Sequence, residues 1–196
     1  LLLSIVAHAR AQCSDGIAAA EVNGFLTAHN KMRQSISAGD YIAKGRRMPA
    51  AKTDIPDLSW DCGLEKSAQS VVNACKFEHS AFSKTLGENL YMVTGGTASF
   101  AGKGKEASDD WEHEFQQFGW PGVLLTRAIY DSGVGHATQM AWAKTTKMGC
   151  GMASCSGARV IVACHYRDAG NFIGQNVYEP EGAPTVVEEP DEATPE

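Results

Sequence analysis

Histidine and glutamate are the side chains in this sequence best suited to hold a divalent cation or move a proton. They fall in four short groupings: Glu78-His79-Ser80, Gly87-Glu88-Asn89, Trp111-Glu112-His113-Glu114 and Gly135-His136. None has the H-E-x-x-H spacing that puts two imidazoles on one helix face. Any site built from them must be assembled in three dimensions from separate segments. Six cysteines (Cys13, Cys62, Cys75, Cys150, Cys155 and Cys164) make an even set with no C-x2-C pair and no histidines at matching spacing. That pattern argues for three disulfides and against a zinc finger, and spacing alone leaves every pairing open.

The elements that must position these groups are partly legible. Val22, Phe25, Leu26, His29, Met32 and Ile36 recur at three- and four-residue steps and predict one amphipathic helix, with His29 as a hydrogen-bonded core histidine. Leu64, Ala68, Val71, Val72 and Cys75 predict a second, with Asp61 as its N-cap. Glu106 to Phe118 reads as a third, carrying Trp111, Phe115 and Phe118 on one face. Beyond residue 137, the runs Thr138–Lys144, Lys147–Ala153 and Arg159–Arg167 are rich in β-branched and apolar residues between Gly and Ser clusters, which suggests strands. The segments 38–60 and 91–105 read as irregular. Helices followed by strands indicate an α+β layered domain with an antiparallel sheet.

The ends read differently from the body. Leu1–Ala7 is apolar but too short to span a bilayer, and Ala9-Arg10-Ala11 has the small-x-small pattern of signal-peptidase cleavage. Residues 1–11 are therefore expected to be a signal peptide remnant, the alternative being a short core strand. Residues 12–178 are long enough for one core. Residues 179–196 carry seven acids, no base and four prolines, and are expected to be a disordered tail, either solubilising or recruiting a basic partner. The formal net charge of -6 belongs to that tail, because residues 1–178 hold 16 acids against 17 bases. Such a balance lacks the basic footprint of a nucleic-acid binder. No other apolar stretch approaches a transmembrane helix, so a secreted, extracellular protein is expected.

Four longer motifs carry a family resemblance. His29-Asn30-Lys31-Met32-Arg33 fits an H-N-x-x-R box, and Gly87-Glu88-Asn89-Leu90 fits a G-E-N-[ILV] box. Gly135-His136-Ala137-Thr138-Gln139-Met140-Ala141-Trp142 is similar to G-H-[FY]-T-Q-x-x-W, with Ala137 in place of the aromatic. Cys164 to Phe172 is similar to C-x-Y-x-[PA]-x-G-N, with Asp168 at the small-residue position. Together they resemble the CAP superfamily (SCP/TAPS). Trp60–Glu65 and Cys75–Ser80 resemble its nematode branch of activation-associated secreted, venom-allergen-like proteins, although those usually carry more cysteines.

The resemblance implies a three-layer α-β-α sandwich of pathogenesis-related-1 type and the pairings Cys13–Cys62, Cys75–Cys155 and Cys150–Cys164. It implies a cleft tetrad of His79, Glu88, Glu114 and His136. In such a cleft the two histidines hold Zn2+ or another divalent cation weakly, the glutamates serve as ligands or orient the imidazoles, and affinity falls below about pH 6. Glu112 and His113 do not match the family position. Asn89, Tyr166 and Asn171 are expected to satisfy buried polar groups, Trp142 to sit in the core, and His165 to face away from Tyr166 without a shared role. The function implied is a secreted effector that binds host components and modulates immunity. One alternative is a sterol- or fatty-acid-binding export protein using Phe115, Phe118, Trp120-Pro121 and the Gly-rich stretch Thr94–Gly104, the aromatics being equally explained by packing. The other is a weak hydrolase using the tetrad, for which no nucleophile is evident, since Ser80 beside His79 is expected to point away from it. Host proteins, lipids or a second copy of the chain are the partners expected.

Overall fold

The computed structural model describes Cys13 and residues 16–95, 99–120 and 122–182, so the leader expected over 1–11 lies outside the described residues. The first apolar stripe forms helix α1, Ala19–Ser37, which buries Val22, Phe25, Leu26, His29, Met32, Arg33 and Ile36 along one side. Helix α2, Cys62–Val72, starts where Asp61 Oδ1 accepts the Leu64 N–H at 2.9 Å, the expected N-cap. Helix α3, Lys103–Gln117, begins earlier than expected. Trp111 and Phe115 are buried on its inner face, whereas Phe118, just past its end, is 43% exposed.

Two strand expectations hold and one does not. Strands β5, Lys147–Cys155, and β6, Arg159–Arg167, form an antiparallel pair. The Thr138–Lys144 run is not a strand: Gly135–Ala141 is helix α5, preceded by the single-turn helix α4, Arg127–Asp131. Ala137 to Trp142 are all buried, so no polar face marks a helical period and the run looks like a short core strand.

The segment 91–105 is not wholly irregular either. Strand β4, Gly87–Thr94, enters it, with Tyr91–Thr94 alternating between half-buried and exposed. Segment 38–60 holds only two-residue strands: the hairpin β1, Ile42–Ala43, and β2, Arg46–Arg47, then β3, Ser59–Trp60.

The main sheet runs β3-β5-β6-β4. It is antiparallel except that β3 lies parallel to β5, a departure from the wholly antiparallel expectation. Asp61 N donates to Met148 O, so β3 runs directly into the cap of α2, which folds back over β5.

Side chains of β6 alternate between two helical layers. Val160, Val162, Cys164 and Tyr166 pack in the large core with α1, α3 and α5, whereas Ile161 and Ala163 pack with Ala68 and Val72 of α2. These are the three layers of an α-β-α sandwich.

Close approach of α2 to the sheet requires glycine on β5. A Cβ on Gly149 would collide with the Glu65 backbone, and one on Gly151 with the Gln69 backbone. Three disulfides, Cys13–Cys62, Cys75–Cys155 and Cys150–Cys164, tie the layers together. Past residue 178 the chain still pairs with the body: Lys52 N donates to Glu179 O at 2.8 Å and Glu181 N to Ala50 O at 2.7 Å. The rest of the expected tail, from residue 183, lies outside the described residues.

Candidate functional site

One end of the edge strand β4 collects the tetrad. A cavity of about 220 Å3 is lined by His79, Glu88, Asn89, Glu114, Gly135, His136 and Asn171, among others. One histidine–glutamate pair lies on each side of the sheet. On the α2 side, His79 leads into a short 3-10 helix, Ala81–Lys84, and Glu88 stands on β4. On the opposite side, Glu114 comes from α3 and His136 from the first turn of α5.

The Glu88 side chain is fully buried, yet both oxygens are occupied. Oε1 accepts from His79 Nδ1 at 2.8 Å and from Ser80 N at 2.8 Å. Oε2 accepts from His165 Nε2 at 2.9 Å and from the Ser80 hydroxyl. Burial pushes its pKa up, but the hydrogen bonds from His165, His79 and Ser80 outweigh that and hold the carboxyl well below the usual carboxylate range. The bond to Glu88 in turn raises the His79 pKa against a smaller opposing effect of burial.

Glu114 accepts three hydrogen bonds. Oε1 accepts from His136 Nδ1 at 2.6 Å, and Oε2 accepts the backbone N–H groups of His136 and Ala137 at 2.9 and 3.0 Å. Two amides at the start of α5 thus fix the carboxylate that fixes the imidazole. Asn89 donates to His136 O, and Asn171 bridges Gly135 O and the Thr138 hydroxyl. Both amides satisfy polar groups around the turn that carries His136, as expected of them.

One expectation is corrected here, and another holds with a consequence of its own. Ser80 and His79 do not diverge: both donate to Glu88, because the chain turns into the 3-10 helix and folds both side chains over one carboxylate. His165 does face away from Tyr166, but that orientation gives it a role. It pairs directly with Glu88 across β4 and β6, and neighbours in such register share a face. Its other nitrogen meets the Ser67 hydroxyl of α2 at 2.7 Å. The signal for it lay in strand register, not in any motif.

The other singled-out residues are structural. His29 is buried, with Nδ1 donating to Phe25 O at 2.9 Å and Nε2 accepting from the Tyr166 hydroxyl at 2.9 Å. Burial lowers its pKa to about 3, against the opposing bond to Phe25. Trp142 lies in the core. Phe115 and Trp120 are buried and stacked on each other at 4.8 Å, so of the three aromatics considered for lipid contact only Phe118 meets solvent.

Among the described residues, the one set of three ligand-type atoms within 4.8 Å of one another is Cys13, Cys62 and Glu65. Its sulfurs are joined in a disulfide, and the Glu65 oxygens accept from Ile17 N and Trp60 Nε1, so it offers no thiolate to a cation. The tetrad contains no disulfide. Its donor chemistry is a pair of imidazoles, each tethered through Nδ1.

Comparison with known proteins bears on this arrangement. Residues 26–166 match the Cysteine-rich secretory protein family, CAP. The chain is 32% identical over 180 residues to Venom allergen 3 of Solenopsis invicta, covering 84% of this chain and 74% of that protein. It is 34% identical over 161 residues to the Ancylostoma secreted protein of Ancylostoma caninum, covering 79% of this chain and 38% of that protein. The crystal structure of NaASP2 with Zn2+ matches at a TM-score of 0.81 and 34% identity, over 86% of this chain and 90% of that one. BmVAL-1 matches at a TM-score of 0.81 and 33% identity, over 87% of each chain.

Proposed function

Because this chain belongs to the CAP family of cysteine-rich secretory proteins, we propose that it is a secreted effector that works by binding, with the His79/His136 cleft as a weak divalent-cation site. The observation that carries this reading is the state of the two carboxylates. Glu88 and Glu114 spend every oxygen on His79, His136, Ser80, Ala137 and His165, so they orient the imidazoles and are not themselves ligands. Holding Nδ1–H of each histidine fixes the tautomer in which Nε2 carries the lone pair that a cation needs. Two imidazole donors completed by water make an incomplete and therefore weak site. The Zn2+ in the NaASP2 crystal structure supports the choice of cation.

The same geometry argues against hydrolysis. The Ser80 hydroxyl donates to a carboxylate whose hydrogen bonds keep it a poor base, and His79 directs Nδ1 to that carboxylate and not to Ser80. Binding to host immune or tissue components therefore fits the molecule better than turnover. Calorimetric titration with zinc tests the site: the wild-type chain binds, and His79→Ala/His136→Ala does not. Undiminished binding in the double variant overturns the reading.

A second reading, lipid binding, rests on a separate groove. A cavity of about 530 Å3, larger than the histidine cleft, lies between α1 and α3, with Ala28, Met32 and Tyr41 on its walls and the charged Lys31, Lys105, Asp109 and Glu112 beside them. It suits a fatty acid or sterol better than the Phe115/Trp120 stack does. Saturable sterol or fatty-acid binding by the purified protein supports this reading, and its absence ends it.

A further inference from the structure

The groove between α1 and α3 follows from two glycines and a charged face. A Cβ on Gly104 would collide with Glu21 O, and one on Gly24 would lie 3.0 Å from Lys105 N, so the helices touch near their N-terminal ends. Past that pinch, Ala28 and Met32 of α1 line one wall and Tyr41 adds an aromatic surface. The other wall is α3, where Lys105, Asp109 and Glu112 follow at four- and three-residue steps and so share a face. A volume of about 530 Å3 falls within the range of small-molecule sites.

Glu112 is the anomaly of this face. It is half-buried, with the Tyr41 hydroxyl as its hydrogen-bonding neighbour, and that hydroxyl also accepts from Gln116 Nε2 at 3.2 Å. Among the described residues, no cation forms an ion pair with it. Lys105 is bonded to Asp109, and Lys31, exposed to solvent, acts on Glu112 only from a distance. Burial raises the Glu112 pKa above the usual carboxylate value, helped by Asp109 and opposed by the Tyr41 bond and the two lysines. A carboxylate so placed gains from a cation that enters beside it.

We propose that this groove binds a small primary amine on an aromatic body, with its ammonium paired to Glu112 and its body against Ala28, Met32 and Tyr41. The Tyr41 ring and the Met32 thioether suit an aromatic group. A carboxylate ligand would have to pair with Lys31 instead, an exposed and well-hydrated charge, so it gains less and lies close to Glu112. The Lys105–Asp109 pair is compensated within itself and favours neither ligand. This inference goes beyond the lipid reading, which draws on the apolar wall alone.

Phenethylamine is the probe, with 3-phenylpropionate as the anionic and 2-phenylethanol as the neutral compound of similar shape. In calorimetric titrations of the purified chain, phenethylamine should bind saturably and about tenfold or more tightly than either of the others. Glu112→Gln keeps the volume and removes the charge, and should lower phenethylamine affinity by about tenfold or more. Ala28→Phe fills the groove from the opposite helix, spares the carboxylate, and should abolish binding. A chain that takes phenethylamine but no sterol or fatty acid loses the lipid reading and keeps this one. Absence of saturable binding at millimolar phenethylamine overturns the proposal. So does equal affinity for 3-phenylpropionate, or undiminished affinity in either variant.

Discussion

Glu88 shows how a single carboxylate organises this site. A charge buried on both oxygens is tolerated because four donors surround it, and removing one of them leaves an acceptor unpaired in the interior. His165→Phe should therefore destabilise the fold by about 1–3 kcal/mol in a denaturant titration. It should also weaken zinc binding roughly ten- to a hundredfold, as loss of a supporting group does at metal sites. An unchanged zinc affinity would show that His79 is oriented without the help of His165.

His29 governs a different pH dependence. Its pKa is about 3 in the folded chain against 6.5 unfolded, so the unfolded state takes up the proton first. Its contribution is complete above about pH 6.5 and is lost as pH falls toward 3, with a slope of up to about 1.4 kcal/mol per pH unit. Replacing it by Gln should flatten the acid side of the stability profile relative to the wild type, the depressed Glu88 carboxyl contributing equally to both.

At the scale of elements, the contact between α2 and β5 sets the thickness of one layer. The helix lies directly on the backbone of Gly149 and Gly151, and Gln69 pairs its amide with the N–H and C=O of Met152. That amide covers backbone groups of β5 beyond the two residues that β3 pairs, where an open edge would otherwise invite another strand. Gly151→Val must push α2 away from the sheet and should cost at least about 1–3 kcal/mol, read as a lower denaturation midpoint at unchanged m-value. Helices α1 and α2 were legible because one face of each is polar. Helix α5 was not, since the residues that would reveal its period are all buried, and β4 was hidden because Gly, Glu and Asn open it.

For the molecule as a whole, the disulfides close loops of very different length. Cys75–Cys155 spans 80 residues and Cys150–Cys164 spans 14. Loop-closure entropy assigns roughly 4 kcal/mol to the longer bridge, so Cys75→Ala/Cys155→Ala should lose about that much stability in a denaturant titration, with its spectroscopic fold intact. No helix among the described residues is long and apolar enough to cross a membrane. The bridges and the family's secreted relatives accord with life outside the cell.

What the sequence determined by itself was local or motif-borne. The stripe of α1, the Asp61 cap, the β5 and β6 runs and the boxes around His79, Glu88, Glu114 and His136 each depend on residues close together in the chain. The tertiary structure decided how those pieces meet. Whether Glu88 binds a cation or only aims His79 depends on Ser80 and on His165, which lies 77 residues away across a strand register. Whether the Trp120 ring is covered depends on Phe115 and on Tyr178, which lies far along the chain. Hydrogen-bond saturation and burial are sums over such distant neighbours, and no spacing along the chain encodes them.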